Sequence, residues 1–267
     1  VSRLSATFER LEGERHKALV AYIMAGDPGL ASTVPAMHAL VSGGVDIIEL
    51  GVPFSDPEAD GPTIQAAHER ALAHHTNLSH VFDMVAEFRV RDPATPVVLM
   101  GYLNNIERIG YAAFADRASA AGVDGVLMVN LPPEEAGGLK RELTRVGVSL
   151  IFLVAPTTTR ERASLIAEQA SGFIYYVSLK GVTGASHLMI EDVVEHVTPL
   201  RHLSSLPVLV GFGIKDARAA ADFSRAADGV VVGSALVEIM GRHPEKTIGP
   251  ELSRCVGAMR AAMDMAH

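Results

Sequence analysis

Glu49 stands in Ile48-Glu49-Leu50-Gly51, at the end of a short apolar run where a solvated loop residue would be ordinary. Taking its charge out of water is costly, and desolvation raises a carboxyl pKa toward that of a working acid or base. The competing reading is a structural acid paired with Arg or Lys. Asp60 lies in Pro53-Phe54-Ser55-Asp56-Pro57-Glu58-Ala59-Asp60-Gly61-Pro62, the longest segment outside the regular rhythm of the chain, and long loops in compact domains are commonly functional. It too has a second reading, as the cap of a helix that starts at Pro62. Two carboxyl groups in unlike surroundings can divide the work of an acid and a base.

Glycines mark a second kind of chemistry. Gly211-Phe212-Gly213-Ile214-Lys215 and Gly233-Ser234-Ala235 each end an apolar run, and glycine there lets backbone N–H groups approach an anion such as phosphate. Gly181-Val182-Thr183-Gly184 has the composition of a loop that closes over a substrate, or of a plain hinge. The eleven histidines are scattered, and His74-His75 suits an exposed helix end, so no metal site is expected.

These residues need a scaffold, and the chain repeats one. Eight nearly continuous apolar runs (Ala18 to Gly26, Asp46 to Val52, Pro96 to Tyr102, Gly125 to Leu131, Leu150 to Pro156, Phe173 to Leu179, Pro207 to Gly213 and Gly229 to Ala235) alternate with amphipathic stretches. This is the pattern of buried parallel strands joined by helices. Val34, Met37, Leu40 and Val41 have helical spacing and stop at Gly43-Gly44. A junction of helix end, Asp and strand recurs at Gly43–Asp46, Ala121–Asp124 and Ala226–Asp228. A doubly wound sheet would usually carry a Gly-rich fingerprint after its first strand, and Ala25-Gly26-Asp27-Pro28 is not one.

The expected fold is therefore α/β, a (β/α)8 TIM barrel occupying residues 1–267 as a single domain. Leu4, Phe8 and Leu11 predict an extra N-terminal helix closing the barrel bottom, and Leu252, Val256, Met259 and Met263 the last helix. In such a barrel the chemistry sits at the carboxyl ends of the strands, where Glu49, Asp60 and both glycine-bearing segments fall.

Composition narrows the partners. Hydrophobic residues make up 48% of the 267 and charged ones 20%, as in a globular enzyme. Net charge is -8 with acids and bases interspersed, so nucleic acid is not an expected partner. No apolar run approaches the ~20 residues needed to span a bilayer, and no membrane association is expected. Cys255 has no mate, which points to the cytoplasm.

At this point a family is recognisable. Ala25-Gly26-Asp27-Pro28, Glu49-Leu50-Gly51-Val52-Pro53-Phe54-Ser55-Asp56-Pro57, Ala59-Asp60-Gly61-Pro62-Thr63-Ile64-Gln65, Gly181-Val182-Thr183-Gly184 and Gly211-Phe212-Gly213-Ile214 resemble, in order and along essentially the whole chain, the tryptophan synthase α-subunit family. The resemblance implies a lyase that splits indole-3-glycerol phosphate into indole and glyceraldehyde 3-phosphate by a retro-aldol reaction. It implies that Glu49 handles the protons at indole C3 and the glycerol hydroxyl, and that Asp60 binds the indole N–H. Thr183 would steady Asp60 when its loop closes. Gly184, Gly213, Gly233 and Ser234 would hold the phosphate, and Tyr22, Met100, Leu127, Tyr175 and Phe212 would line the indole pocket. It further implies an α2β2 heterotetramer, with no cofactor in this chain and pyridoxal phosphate in a β subunit that receives indole through an internal tunnel. The Pro53–Asp60 and Gly181–Gly184 loops would carry signals between the sites.

Four positions depart from the family pattern. Tyr22 and Met100 stand where Phe and Leu are common, and both keep an apolar wall. Asn130 stands where Asp is usual, so that site lacks a negative charge. Glu58 replaces an apolar residue beside Asp60, facing the partner or altering Asp60. Other readings are a stand-alone indole-producing lyase, an activator subunit without strong chemistry of its own, and a different phosphate-binding barrel such as a sugar-phosphate isomerase.

Overall fold

The computed structural model describes residues 2–177, 186–211 and 213–267. Eight parallel strands, β1 (Ala18–Met24), β2 (Ile47–Gly51), β3 (Val97–Gly101), β4 (Gly125–Met128), β5 (Ser149–Val154), β6 (Ile174–Val177), β7 (Val208–Gly211) and β8 (Gly229–Val232), close into a barrel in sequence order. Each expected apolar run holds one strand, but the runs overreach at their ends. Ser234 and Ala235, for example, open the helix Ser234–Arg242 rather than ending β8.

Side chains alternate along each strand between two apolar layers, which is why the runs read as continuous. On β1, Leu19, Ala21 and Ile23 pack outward in the cluster shared with the helices, while Ala18 and Val20 point into the barrel with Ile47, Val98, Leu127 and Ile151. The helix Thr33–Ser42 buries Val34, Met37 and Leu40, and the helix Glu245–Met265 buries Leu252, Val256, Met259 and Met263. Among the described residues no helix is long and apolar enough to cross a membrane.

The N-terminal helix Arg3–Glu14 plugs the bottom of the barrel. The Ser2 hydroxyl caps it by accepting the Ser5 N–H at 3.1 Å. Leu4 and Leu11 are buried in the inner layer, and Phe8 sets its ring edge-on to Phe173 at 6.1 Å. Burial of each Leu contributes about 1.5–3 kcal/mol.

The repeated Asp junctions have a defined task. Asp46, just before β2, accepts the Leu19 N–H of β1 at 2.9 Å; Asp124, before β4, accepts the Val97 N–H of β3 at 2.9 Å; Asp228, before β8, accepts the Val208 N–H of β7 at 2.9 Å. Ser171 does the same ahead of β6, accepting the Leu150 N–H of β5 at 2.8 Å. Each even-numbered strand is thus clasped to the odd one before it, and arginines neutralise the acids: Arg10 and Arg260 at Asp46, Arg3 and Arg89 at Asp124, Arg201 at Asp228. With the closed end fixed in this way, the strand carboxyl ends and their loops form the open mouth.

Candidate active site

Glu49 lies on β2, in register with Tyr22 on β1 and Val98 on β3. It points inward near the mouth and is 1% exposed. Among the described residues neither carboxyl oxygen has a hydrogen-bond partner and no Arg or Lys pairs with it, so none of them supplies the cation that the structural reading of this acid requires. Burial, and secondarily the nearby charge of Asp60, pushes its pKa from 4.5 up to about 8. The group is therefore mostly protonated at neutral pH, a carboxylic acid held ready to donate.

Asp60 is held differently. Its Oδ2 accepts from the Tyr102 hydroxyl at 2.9 Å and lies 3.2 Å from His68 Nε2. The Phe54 N–H donates to His68 Nδ1 at 3.0 Å, so Nδ1 is the unprotonated nitrogen and Nε2 carries the hydrogen that points at Asp60. The capping alternative for Asp60 is corrected here. The helix Pro62–Ala73 has Gly61 at its N-cap with no side-chain cap, because the Asp60 carboxylate turns away to Tyr102 and His68.

The loop carrying Asp60 is anchored at several points. The Tyr102 hydroxyl accepts the Ala59 N–H at 3.1 Å, and its ring stacks on Phe54 at 4.9 Å. Gln65 Nε2 donates to the Asp60 carbonyl at 2.8 Å, and Asn105 Nδ2 to the Pro53 carbonyl at 3.2 Å. Neither His68 nor Tyr102 was among the residues singled out from sequence. Both carried a signal: Tyr102 directly follows β3 at its carboxyl end, and His68 follows Gly61, Ile64 and Gln65 on one face of the helix.

Apolar and aromatic groups wall the space around the two acids. Tyr22 and Met100 pack in a mouth cluster with Ile64, while Leu127 is fully buried in the layer beneath, with Met100 and Tyr175 against it. The Tyr22 and Tyr175 hydroxyls are driven well above their usual pKa, first by burial and then by the charges of Asp60 and Glu49, so both stay neutral. A β-carbon at Gly51 would overlap the Tyr22 hydroxyl, and one at Gly211 the Tyr175 hydroxyl. Glycine at these strand ends makes room for the two phenols.

On the β7–β8 side, Gly213 has φ +57°, a left-handed conformation that glycine adopts freely. Gly233 is the N-cap of the helix Ser234–Arg242 and has no side-chain cap. The first helical bonds run from the Leu236 and Val237 N–H groups to the Gly233 carbonyl, so the N–H groups of Ser234 and Ala235 precede them at the positive end of the helix dipole. This geometry suits an anion. Thr183, Gly184 and Phe212 lie outside the described residues.

The two charge-altering departures also have positions. Asn130 Oδ1 accepts the Leu103 N–H at 2.8 Å and its Nδ2 donates to Asn104 Oδ1 at 3.1 Å. A carboxylate could accept the first bond but not donate the second. Glu58 is exposed on the loop, its own N–H bonded to the Asp56 carbonyl at 2.9 Å.

The comparison with known proteins agrees with this arrangement along the whole chain. Residues 8–263 match the family model described as tryptophan synthase alpha chain. The chain is 54% identical to the tryptophan synthase alpha chain of Nitrosococcus oceani over 99% of its length and 98% of the relative's, and 55% identical to that of Chromobacterium violaceum over 98% and 100%. Among solved structures, tryptophan synthase subunit alpha from Legionella pneumophila superposes with a TM-score of 0.93 at 44% identity, covering 99% of each chain. A chain of the tryptophan synthase complex from Pyrococcus furiosus superposes with a TM-score of 0.84 at 37% identity, covering 91% of this chain and 98% of the other. With sequence, fold and strand-end acids all in agreement, the chain belongs to the tryptophan synthase alpha chain family.

Proposed function

We propose that Glu49 and Asp60 divide the retro-aldol cleavage of indole-3-glycerol phosphate, the lyase reaction of this family, with Glu49 moving both protons and Asp60 stabilising charge. The observation that carries this reading is the contrast between the two acids: one buried, without a partner among the described residues and with its pKa pushed up to about 8, the other accepting from two donors. The bond between indole C3 and the glycerol carbon cannot break while the ring is aromatic. Glu49 donates its proton to C3, which leaves positive charge on the ring nitrogen. Asp60 accepts a hydrogen bond from the indole N–H and offsets that charge. Glu49, now ionised in an apolar site, takes the proton of the glycerol hydroxyl. The carbonyl forms, the carbon–carbon bond breaks, and its electron pair restores the indole ring. Glu49 ends the cycle protonated, as it began.

Tyr22, Met100, Leu127 and Tyr175 supply the flat apolar walls for indole, with Phe212. Gly213, Gly233 and Ser234 bind the phosphate with Gly184, while Thr183 steadies Asp60 as its loop closes. We read residues 1–267 as one domain that needs no cofactor for this step. The partner is the β subunit of the α2β2 complex, which carries the pyridoxal phosphate and receives the indole, and the unpaired, half-buried Cys255 suits a cytoplasmic protein.

The test is indole release from indole-3-glycerol phosphate by the wild type, Glu49→Gln and Asp60→Asn, each with the β subunit. Glu49→Gln should lose at least about a thousandfold in kcat and Asp60→Asn about a hundredfold or more, with folding intact. Wild-type turnover in Glu49→Gln would remove Glu49 from the chemistry.

A further inference from the structure

We propose that His68 is a positioning residue for Asp60, acting as a neutral bridge that ties the orientation of this carboxylate to the backbone of its own loop. The proposal rests on the role of Asp60 given above and adds a residue to that site.

His68 is 3% exposed, in the second turn of the helix Pro62–Ala73, and both of its ring nitrogens are engaged. The Phe54 N–H donates to Nδ1 at 3.0 Å, which leaves the only ring hydrogen on Nε2, 3.2 Å from Asp60 Oδ2. The bridge therefore has a direction: Phe54 backbone to imidazole to carboxylate. A side chain on a helix is held more firmly than one on a loop, so His68 gives the carboxylate a fixed reference that the loop alone lacks.

The Tyr102 hydroxyl meets the same Oδ2 at 2.9 Å, and its ring lies edge-on to His68 at 6.3 Å between centroids. Two donors from different elements, one following β3 and one on the helix, thus fix one oxygen. Among the described residues Oδ1 receives no such bond and is the oxygen left for the indole N–H. Removing the helical donor lets the carboxylate rotate and lose alignment as charge develops on the ring, an effect on turnover rather than on substrate affinity.

The two halves of the bridge can be separated chemically. Gln at position 68 can place an amide N–H where Nε2 was and keep the bond to Asp60. Asn is shorter, and can place an acceptor where Nδ1 was, keeping the Phe54 bond but not the Asp60 bond. The experiment measures kcat and KM for indole release, with the β subunit present, in the wild type, His68→Gln, His68→Asn and Asp60→Asn, together with thermal midpoints. His68→Gln should keep kcat within about threefold of the wild type. His68→Asn should lose roughly 10- to 100-fold in kcat with KM changed by less than about threefold, the scale of one lost hydrogen bond to a charged group.

Equal kcat in the two His68 variants, or losses that follow their thermal midpoints, would overturn the bridge. Wild-type kcat in Asp60→Asn would instead sink the role of Asp60 on which it stands. The nitrogen-15 spectrum of the wild-type imidazole gives an independent reading: an unprotonated Nδ1 and a protonated Nε2 are expected, and the opposite tautomer contradicts the proposal.

Discussion

Asp124 and Glu49 are both buried carboxyl groups of one barrel, and they differ in what surrounds the carboxyl. Asp124, at the closed end, accepts the Val97 N–H and faces Arg89 at 2.7 Å and Arg3 at 3.0 Å. Glu49, at the open end, has neither a donor nor a cation among the described residues. Asp27 shows that this is not simply a property of the open end. It is fully buried just beyond β1, yet Arg70 grips both of its oxygens, at 2.6 and 2.8 Å. A paired acid is fixed as an anion and holds strands or loops together. An unpaired one is kept neutral by its surroundings, and a neutral carboxyl can give its proton away.

The comparison can be broken hardest at Asp124. Replacing it with Ala takes the carboxylate from Arg89, which keeps only backbone carbonyl acceptors, and leaves the Val97 N–H without its side-chain acceptor; it should lower folding stability by about 3–5 kcal/mol while the remaining folded protein turns over substrate at near the wild-type rate. Urea unfolding and activity per folded molecule check both halves.

An effect of comparable size, spread over several pH units, should appear in the pH dependence of stability. Between about pH 4.5 and 8 the unfolded chain has released the Glu49 proton while the folded chain has kept it, so this group makes stability fall as pH rises. The slope is at most about 1.4 kcal/mol per pH unit. Urea unfolding at several pH values should show that Glu49→Gln gains stability on the wild type across this window. A constant difference between the two proteins would mean that Glu49 is already ionised in the folded state.

The mildest change sharpens the picture at Asp60. Tyr102→Phe removes one of its two donors and also the acceptor of the Ala59 N–H, while keeping the ring stack on Phe54. Steady-state kinetics should show kcat about 3- to 30-fold lower, with KM little changed.

What could be read in advance follows from the range over which each signal acts. Strand order and the N-terminal plug were legible because alternation and helical spacing are local, and each of the eight runs holds a strand. Glu49 was legible because an acid between Ile48 and Leu50 breaks an apolar pattern. Asp60 remained divided between capping and chemistry, since the deciding contact is with Tyr102, on another strand's end. His68 was passed over for a related reason. A lone histidine within a helix carries no local mark, and its meaning comes from Phe54 and Asp60 meeting it in space. The even-strand clasp was visible as three Asp junctions, but its fourth member, Ser171, is a different residue type set further from its strand.

The most direct test of the account is a carbon-13 NMR titration of the Glu49 side-chain carboxyl in the wild-type protein, assigned by its loss in Glu49→Gln. The account predicts a midpoint near pH 8, the value for a group kept neutral by burial beside a charged Asp60. A midpoint near 4.5 would show that Glu49 is an ordinary ionised acid at neutral pH, and would contradict its role as the proton donor to indole C3.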